Sequence, residues 1–427
     1  MTEQSVSIFD CENPDAIRLI GSFGVYQDGR ARLRQFTSRS SADFVDPFLA
    51  LFTKDSNDTL VSPNSDGTYF LSDLAPSGWG ARFIARQLLE ARRPAPSSPI
   101  EWLAQSSSFG SGRVVTCPEN ICAPKLINIG TSLSDFSPSL LDKFYKFVQL
   151  PGQHLEDDSL SLLRPGCDLG GVRPKALITY DGCEHIVKFG LPDDPFDVPI
   201  AEYATLRLAY LAGITVPSFE LVEIGSRTAL VVERFDRTES GARIHYMSAY
   251  SLLNPLVIQG DNSHYREKYS YAGFAEALGS SNTGCPSAGP ELFRRMVFNI
   301  MVGNIDDHLR NHAVLMKEPG VLQLSPAFDL CPQIEAQHRS QSIGVGALGR
   351  ASTVVNALSQ CNRFQLARNE AISIVGQVKD TLSNWRQTFR EAGASARDLR
   401  LLTPCFAVAD ELEATAVNLE FGKCQLT

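Results

Sequence analysis

Apolar and polar positions divide the 427-residue chain into three regions with different periodicities. In residues 1–145 the pattern is mixed. SFGVYQDGRARL alternates on either side of Gln27-Asp28-Gly29, the pattern of two strands joined by a tight turn. TYFLSDLAPSGWGARFIARQLLEARR predicts a strand, a turn at Pro76 to Gly78, and a helix running to Arg92 and Arg93. Residues 94–125 are rich in Pro, Ser and Gly and read as loop.

Residues 146–250 alternate strands with one helix. GGVRPKALITY and HIVKFGL are strands around an Asp181-Gly182 hairpin turn. AEYATLRLAYLAGI has helical spacing and a closing glycine, and SFELVEI and TALVVERFD are two further strands joined through Gly225-Ser226. From 251 to 427 the pattern is mostly helical, with short strands expected around residues 313 to 325. ELFRRMVFNIMVGN predicts a buried helix, and RNEAISIVGQVKDTLSNWRQTFREAG one long helix. The expectation is an α+β chain in three parts: a small mixed N-terminal subdomain (1–145), a strand-rich lobe (146–250) and a helical lobe (251–427). Strands with one helix, followed by a helical half, is the plan of a bilobal kinase. A plan of that kind does not fix a function.

Composition narrows the functional classes. An apolar fraction of 43% is ample for buried cores, and a formal net charge of −9 argues against a chain that binds nucleic acid by itself. No uninterrupted apolar run approaches the roughly eighteen residues of a membrane span. MTEQSVSIFD lacks the basic-then-apolar start of a signal peptide, so a cytoplasmic protein is expected. The ten cysteines are scattered without metal-ligand spacing, which fits reduced thiols.

The candidate chemistry lies in a few short words. GNIDDHLRN places Asp306 five residues before Asn311, the carboxylate-to-amide spacing of a kinase catalytic loop, and LQLSPAFDL supplies Asp329 after a short apolar strand. Phosphoryl transfer needs a carboxylate beside the attacking hydroxyl, oxygen ligands for Mg²⁺ and a cation on the phosphates. Taken singly, Asp306 could cap a helix and Asp329 mark a turn. The ordered trio favours Asp306 as base, with Asn311 and Asp329 on the metal. His308 and His312 have the spacing of a metal pair but enclose no matching acid, so His308 is read as bracing the loop.

Lys188, on the strand HIVKF, is the candidate phosphate cation, with Glu202 at the start of the next helix as its partner; the alternative is a lysine reaching to water. In DLGGVRPK, Gly170 and Gly171 would let backbone N–H groups approach phosphates, and Lys175 adds charge. ALVVERFDR has the character of a hinge offering backbone groups and an aromatic ring to adenine, while Arg234 and Arg237 taken singly read as surface charges.

GGVRPKALI, HIVKF, ALVVERFDR, GNIDDHLRNHAVL and LSPAFDLCP, in that order over about residues 165–335, resemble the HipA-like serine/threonine kinases, the toxin half of bacterial toxin–antitoxin modules. DLAPSGWGARF more weakly resembles their N-terminal subdomain. The resemblance implies an ATP- and Mg²⁺-dependent protein kinase, related in fold to protein kinases and phosphatidylinositol kinases. Asp306 would be the base, Asn311 and Asp329 the metal ligands, Lys188 the phosphate contact, and Glu233 and Phe235 the adenine hinge. It further implies a protein substrate such as an aminoacyl-tRNA synthetase or another translation factor, and an antitoxin partner with a DNA-binding fold. One departure stands out. Family members often carry a serine two residues before the first loop glycine, where self-phosphorylation disables the enzyme; this chain has Asp168, expected to repel ATP or to imitate the phosphorylated state. Two alternatives follow: a nucleotide-binding module that transfers no phosphate, and a small-molecule kinase on the same fold.

Overall fold

A computed structural model describes residues 4–13, 15–25, 31–34, 53–54, 60–61, 72–118, 124, 131–150, 157–253, 268–279, 285, 287–318, 321–335 and 339–409. The chain forms two compact units. One comprises Met1–Asp193, Pro217–Gly260 and His312–Ser325; the other comprises Asp194–Val216, Asp261–Asn311 and Pro326–Thr427.

Among the described residues the first unit contains three antiparallel sheets. Strands β1 (Gln4–Asp10), β2 (Arg18–Val25), β3 (Ala31–Arg34), β4 (Thr53–Lys54), β5 (Leu60–Val61) and β6 (Val114–Pro118) form a sheet in the order β4-β5-β3-β2-β1-β6. β2 pairs with β3 as SFGVYQDGRARL predicts, although the turn at Gln27-Asp28-Gly29 lies outside the described residues, as does most of the strand expected in TYFLS. Helix α1 (Gly78–Glu90) follows the Pro76–Gly78 turn. The expected loop of residues 94–125 is only partly loop. Ser98 caps a short helix α2 (Pro99–Leu103) by accepting from the Glu101 N–H, with Pro99 preset for a first helical turn, and the β-branched run at 114–116 becomes β6. Ile100 and Leu103 of α2 cover Val6, Ile8, Ile20 and Phe23 of the sheet.

Helices α3 (Pro138–Gln149) and α4 (Asp157–Leu163) precede the second sheet, built from β7 (Lys175–Tyr180), β8 (Cys183–Phe189), β9 (Phe219–Ile224) and β10 (Arg227–Glu233) in the order β7-β8-β10-β9. Asp181 and Gly182 both have positive φ (48° and 79°), the backbone of the tightest right-twisted hairpin turn. One face of this sheet, carrying Ala176, Ile178, Val187, Phe189, Ala229 and Val231, packs on Trp79, Phe83 and Leu88 of α1 and Phe144 and Phe147 of α3. Each fully buried phenylalanine there stabilises the unit by about 1.5–3 kcal/mol. A third sheet has the order β11 (His245–Ser248), β12 (Ala313–Glu318), β13 (Val321–Leu324).

The second unit is helical: α5 (Val198–Leu211), α6 (Tyr271–Gly279), α7 (Ala288–Val302), α8 (Val354–Leu358), α9 (Arg368–Leu382), α10 (Trp385–Glu391) and α11 (Ala396–Leu402). Leu292, Phe293, Met296, Val297, Phe298, Ile300 and Met301 are buried right around α7, making it the central helix. The single long helix expected from RNEAISIVGQVKDTLSNWRQTFREAG is two, α9 and α10. The Ser383 hydroxyl bonds back to the Asp380 carbonyl at 2.7 Å and Asn384 leaves helical geometry, so the backbone turns there. The turn lets Trp385 stack on Phe406 at 4.0 Å.

Candidate active site

The acid-bearing residues lie in the second unit. Helix α7 ends at Gly303 in the left-handed conformation (φ 68°), which reverses the chain and launches the segment 304–311. That segment is fixed at several points. The Gln333 N–H donates to the Gly303 carbonyl (3.0 Å), the Ser342 N–H and hydroxyl both donate to the Ile305 carbonyl (3.0 and 3.1 Å), and the Asn311 N–H donates to the His308 carbonyl (2.8 Å). Gln333 also ties this segment to the one carrying Asp329, whose own anchor is the Ala327 N–H on the Thr215 carbonyl at 2.8 Å. Asp329 has φ 59°, a left-handed backbone that costs a non-glycine residue free energy and is characteristic of residues held in place for a purpose.

Asp306 is exposed and Asn311 is buried. Partial desolvation pushes the Asp306 carboxyl above the usual carboxylate range; His308 pulls it down, and the charges of Asp329 and Asp307 push it up again. Asp306 and Asp329 therefore repel one another across two stapled segments. His308 contributes a buried Nδ1 without a hydrogen-bond partner. Two carboxylates and an amide are hard oxygen donors, and their mutual repulsion is what a divalent cation would relieve. The set fits Mg²⁺, which keeps several waters and needs few protein ligands. Among the described residues no group of three or more His, Cys, Asp or Glu gathers so as to hold a metal ion, so a metal here would depend on few carboxylates together with the amide and water.

Beneath the loop lies a network that sequence reasoning missed. Asp307 is 1% exposed; it accepts from the Tyr271 hydroxyl and from Asn299 Nδ2 (2.8 Å), and Asn304 Nδ2 donates to Asn299 Oδ1 (3.1 Å). Burial and the Asp307 carboxylate hold the Tyr271 phenol well above its ordinary range, so it stays a donor. An asparagine inside the apolar run MVFNIMV was the available signal, because a buried amide needs partners. Tyr271 gave none.

The remaining predicted residues, apart from Glu202, lie in the first unit. Lys175 and Lys188 stand directly opposite one another on β7 and β8, hence on the same face of the sheet, opposite to the face that packs on α1 and α3. On that face Leu177, Ile186, Leu230 and Val232 continue the surface. Two ammonium groups directly across a ladder disfavour the pairing unless an anion lies nearby. Lys175 Nζ donates to the Gly170 carbonyl (2.7 Å), and the Trp79 N–H takes the Gly171 carbonyl (2.8 Å). Both glycines have positive φ (66° and 81°). Because a trans peptide sets C=O and N–H on opposite sides, the N–H groups of Gly171 and Val172 point away from these partners. Glu233 closes β10, and Phe235 stacks on Tyr246 at 6.4 Å. Glu202 is buried on α5, in the second unit.

Three charged residues differ from the sequence reading. Asp168, expected to face ATP, is 2% exposed and turned inward: it accepts from the Ser107 N–H (2.5 Å) and the Ser107 hydroxyl, with Arg164 Nη1 at 3.5 Å. Arg234 and Arg237, read as surface charges, are buried side chains paired with Asp236 and Glu184. One counter-charge, Asp236, stands between the two arginines in the sequence; the other, Glu184, comes from β8, some fifty residues earlier, and no local pattern announces it.

The words that carry these residues fall inside a single match. The family described as the HipA-like C-terminal domain matches residues 167–385, just over half of the chain. The chain belongs to the HipA-like family. The "Putative kinase Y4dM" of Sinorhizobium fredii is 25% identical over 400 residues, spanning 89% of this chain and 88% of that protein. The serine/threonine-protein kinase toxin HipA of Shewanella oneidensis is 28% identical over 192 residues, 39% of this chain and 43% of that one. A solved complex of Shewanella oneidensis HipA with HipB and its operator DNA has a chain that superposes with a TM-score of 0.64, covering 95% of this chain and 97% of that chain at 17% identity. The fold is the α+β, kinase-like fold of HipA. Among the described residues no helix is long and apolar enough to cross a membrane.

Proposed function

We propose that this HipA-like protein is an ATP- and Mg²⁺-dependent kinase that phosphorylates a serine or threonine hydroxyl of a protein. The observation that carries the proposal is the Asp306–Asp329 pair: an exposed carboxyl with raised proton affinity, repelled by a second acid on a tied segment, with the buried Asn311 five residues on. Asp306 accepts the proton of the attacking hydroxyl as general base. Asn311 and Asp329 hold the metal, which when bound neutralises charge on the phosphate oxygens. His308 steadies the loop beside Asp306.

In the other unit, Lys188 and Lys175 supply positive charge. The Gly171 and Val172 N–H groups receive the phosphates, and Glu233 and Phe235 border the adenine. The inward turn of Asp168 takes away the support for a chain that transfers no phosphate, since the acid is already occupied by Ser107 and Arg164.

The proposal retains the division into 1–145, 146–250 and 251–427, a cytoplasmic setting, and a substrate drawn from translation factors such as the aminoacyl-tRNA synthetases. The Shewanella oneidensis structure contains HipB and operator DNA. By analogy a DNA-binding antitoxin is the proposed partner here, and it would supply the DNA contacts that a chain of net charge −9 does not. Incubation with labelled ATP and a bacterial lysate, beside Asp306→Asn, tests the proposal. A labelled polypeptide that disappears with the variant is expected. Label carried only by a metabolite, or no label from either protein, refutes it.

A further inference from the structure

The serine- and glycine-rich segment Ser107–Gly112 is not free loop: its backbone and the Ser107 side chain are tied at two ends. At the first end, the Asp168 carboxylate accepts from the Ser107 N–H (2.5 Å) and hydroxyl, while Arg164 Nη2 donates to the Gln105 carbonyl (2.5 Å). Asp168 sits two residues before Gly170. A Cβ built on Gly110 would lie only 3.6 Å from the Asp168 Cβ, so the segment lies against this acid.

At the second end, Arg234 donates to the carbonyls of Phe109 (2.8 Å) and Gly110 (2.9 Å), and the Gly112 N–H donates to Asp236 Oδ2 (2.7 Å). Arg243 donates to the Ser108 carbonyl. Arg234 and Asp236 flank Phe235 directly after β10. The segment thus spans from the glycine loop to the end of β10, and both attachments are buried and charge-assisted, the strong kind of hydrogen bond.

The glycine loop is also held from the other side. Lys175 takes the Gly170 carbonyl and Trp79 the Gly171 carbonyl, while Gly80 approaches so closely that an added Cβ would meet the Cys167 carbonyl oxygen at 1.9 Å. Loop residues 167–171 are therefore held by α1 on one side and the 107–112 segment on another, with the Gly171 and Val172 N–H groups directed away from Lys175 Nζ and the Trp79 N–H.

We propose that Ser107–Gly112 is a strap that sets the phosphate loop, and that Ser107 and Asp168 are positioning residues for the nucleotide phosphates. This rests on Gly170–Gly171 being the phosphate loop. Neither residue needs to touch the nucleotide. Their bond holds the backbone that presents the two N–H groups, so its loss weakens the grip on phosphates and spares the grip on adenosine.

Calorimetric titration of the full chain with ATP–Mg²⁺ and, separately, with adenosine tests this on Ser107→Ala, Asp168→Asn and Ser107→Thr, with Lys188→Ala alongside. Ser107→Ala and Asp168→Asn are expected to lose about tenfold or more in ATP affinity with adenosine affinity unchanged, and Ser107→Thr, which keeps the hydroxyl, to retain both. ATP affinity unchanged in Ser107→Ala and Asp168→Asn, or an equal loss for both ligands, overturns the strap. If Lys188→Ala weakens ATP while Ser107→Ala does not, the strap alone fails. If the folded wild type binds no ATP, the functional proposal fails with it.

Discussion

Asp306 and Asp307 are adjacent acids, and the structure assigns them opposite physical roles that one pair of variants separates. Asp307 is 1% exposed and accepts from the Tyr271 hydroxyl and the Asn299 amide. Truncating it leaves two buried donors without their acceptor, each costing about 1–3 kcal/mol, so Asp307→Ala should destabilise by about 2–6 kcal/mol. In a unit of this size about 3 kcal/mol corresponds to a loss of about 6–12 °C in Tm. Asp306 is exposed and repelled by Asp329 and Asp307. Asp306→Asn removes that repulsion at little packing cost, so stability should move by no more than about 0.5 kcal/mol. Phosphate transfer should be abolished in Asp306→Asn all the same. Thermal unfolding by circular dichroism, run beside the labelled-ATP assay, reads both. Equal melting temperatures for the two variants, or a larger loss for Asp306→Asn, would refute the network. Wild-type transfer by Asp306→Asn would refute its role as base.

Asp329→Ala should also abolish transfer while the protein stays folded, checked by the same assay and by Mg²⁺ titration; retained Mg²⁺-dependent transfer would count against it. Gly80→Ala forces a Cβ to within 1.9 Å of the Cys167 carbonyl oxygen, and overpacking of this kind typically costs about 1–3 kcal/mol. A urea-unfolding midpoint equal to wild type would show that the contact is not tight. Burial, with a smaller push from Arg113, lowers His245 from 6.5 to about 4. The unfolded chain thus binds this proton between pH 6.5 and 4 while the folded chain does not, so the His245 contribution is fully present above pH 6.5 and is lost as pH falls toward 4. His245→Gln should flatten the acid-side fall in stability by about one proton, measured as unfolding free energy against pH. An unchanged slope would sink this assignment.

Much of the fold was legible because its signals are local. The Asp181-Gly182 turn, the helical spacing and closing glycine of α5 and the strands β8 and β10 are all written in spacing and turn chemistry over a dozen residues. The expectation failed where local and distant forces compete. The 94–125 segment has loop composition, yet Val114–Pro118 gains a ladder with β1, a partner a hundred residues away. The expected long helix breaks at Ser383-Asn384, a turn accompanied by the stacking of Trp385 on Phe406.

For the site, the sequence determined the inventory: an acid and an amide five residues apart, a second acid, a strand lysine and paired glycines. Those follow from residue type and spacing, which a linear chain carries in full. Tertiary structure decided which charges meet. It set Asp307 on Tyr271, turned Asp168 onto Ser107 and brought Glu184 to Arg234 and Arg237. Burial and Coulomb energy depend on distance in space, and no spacing along the chain encodes it.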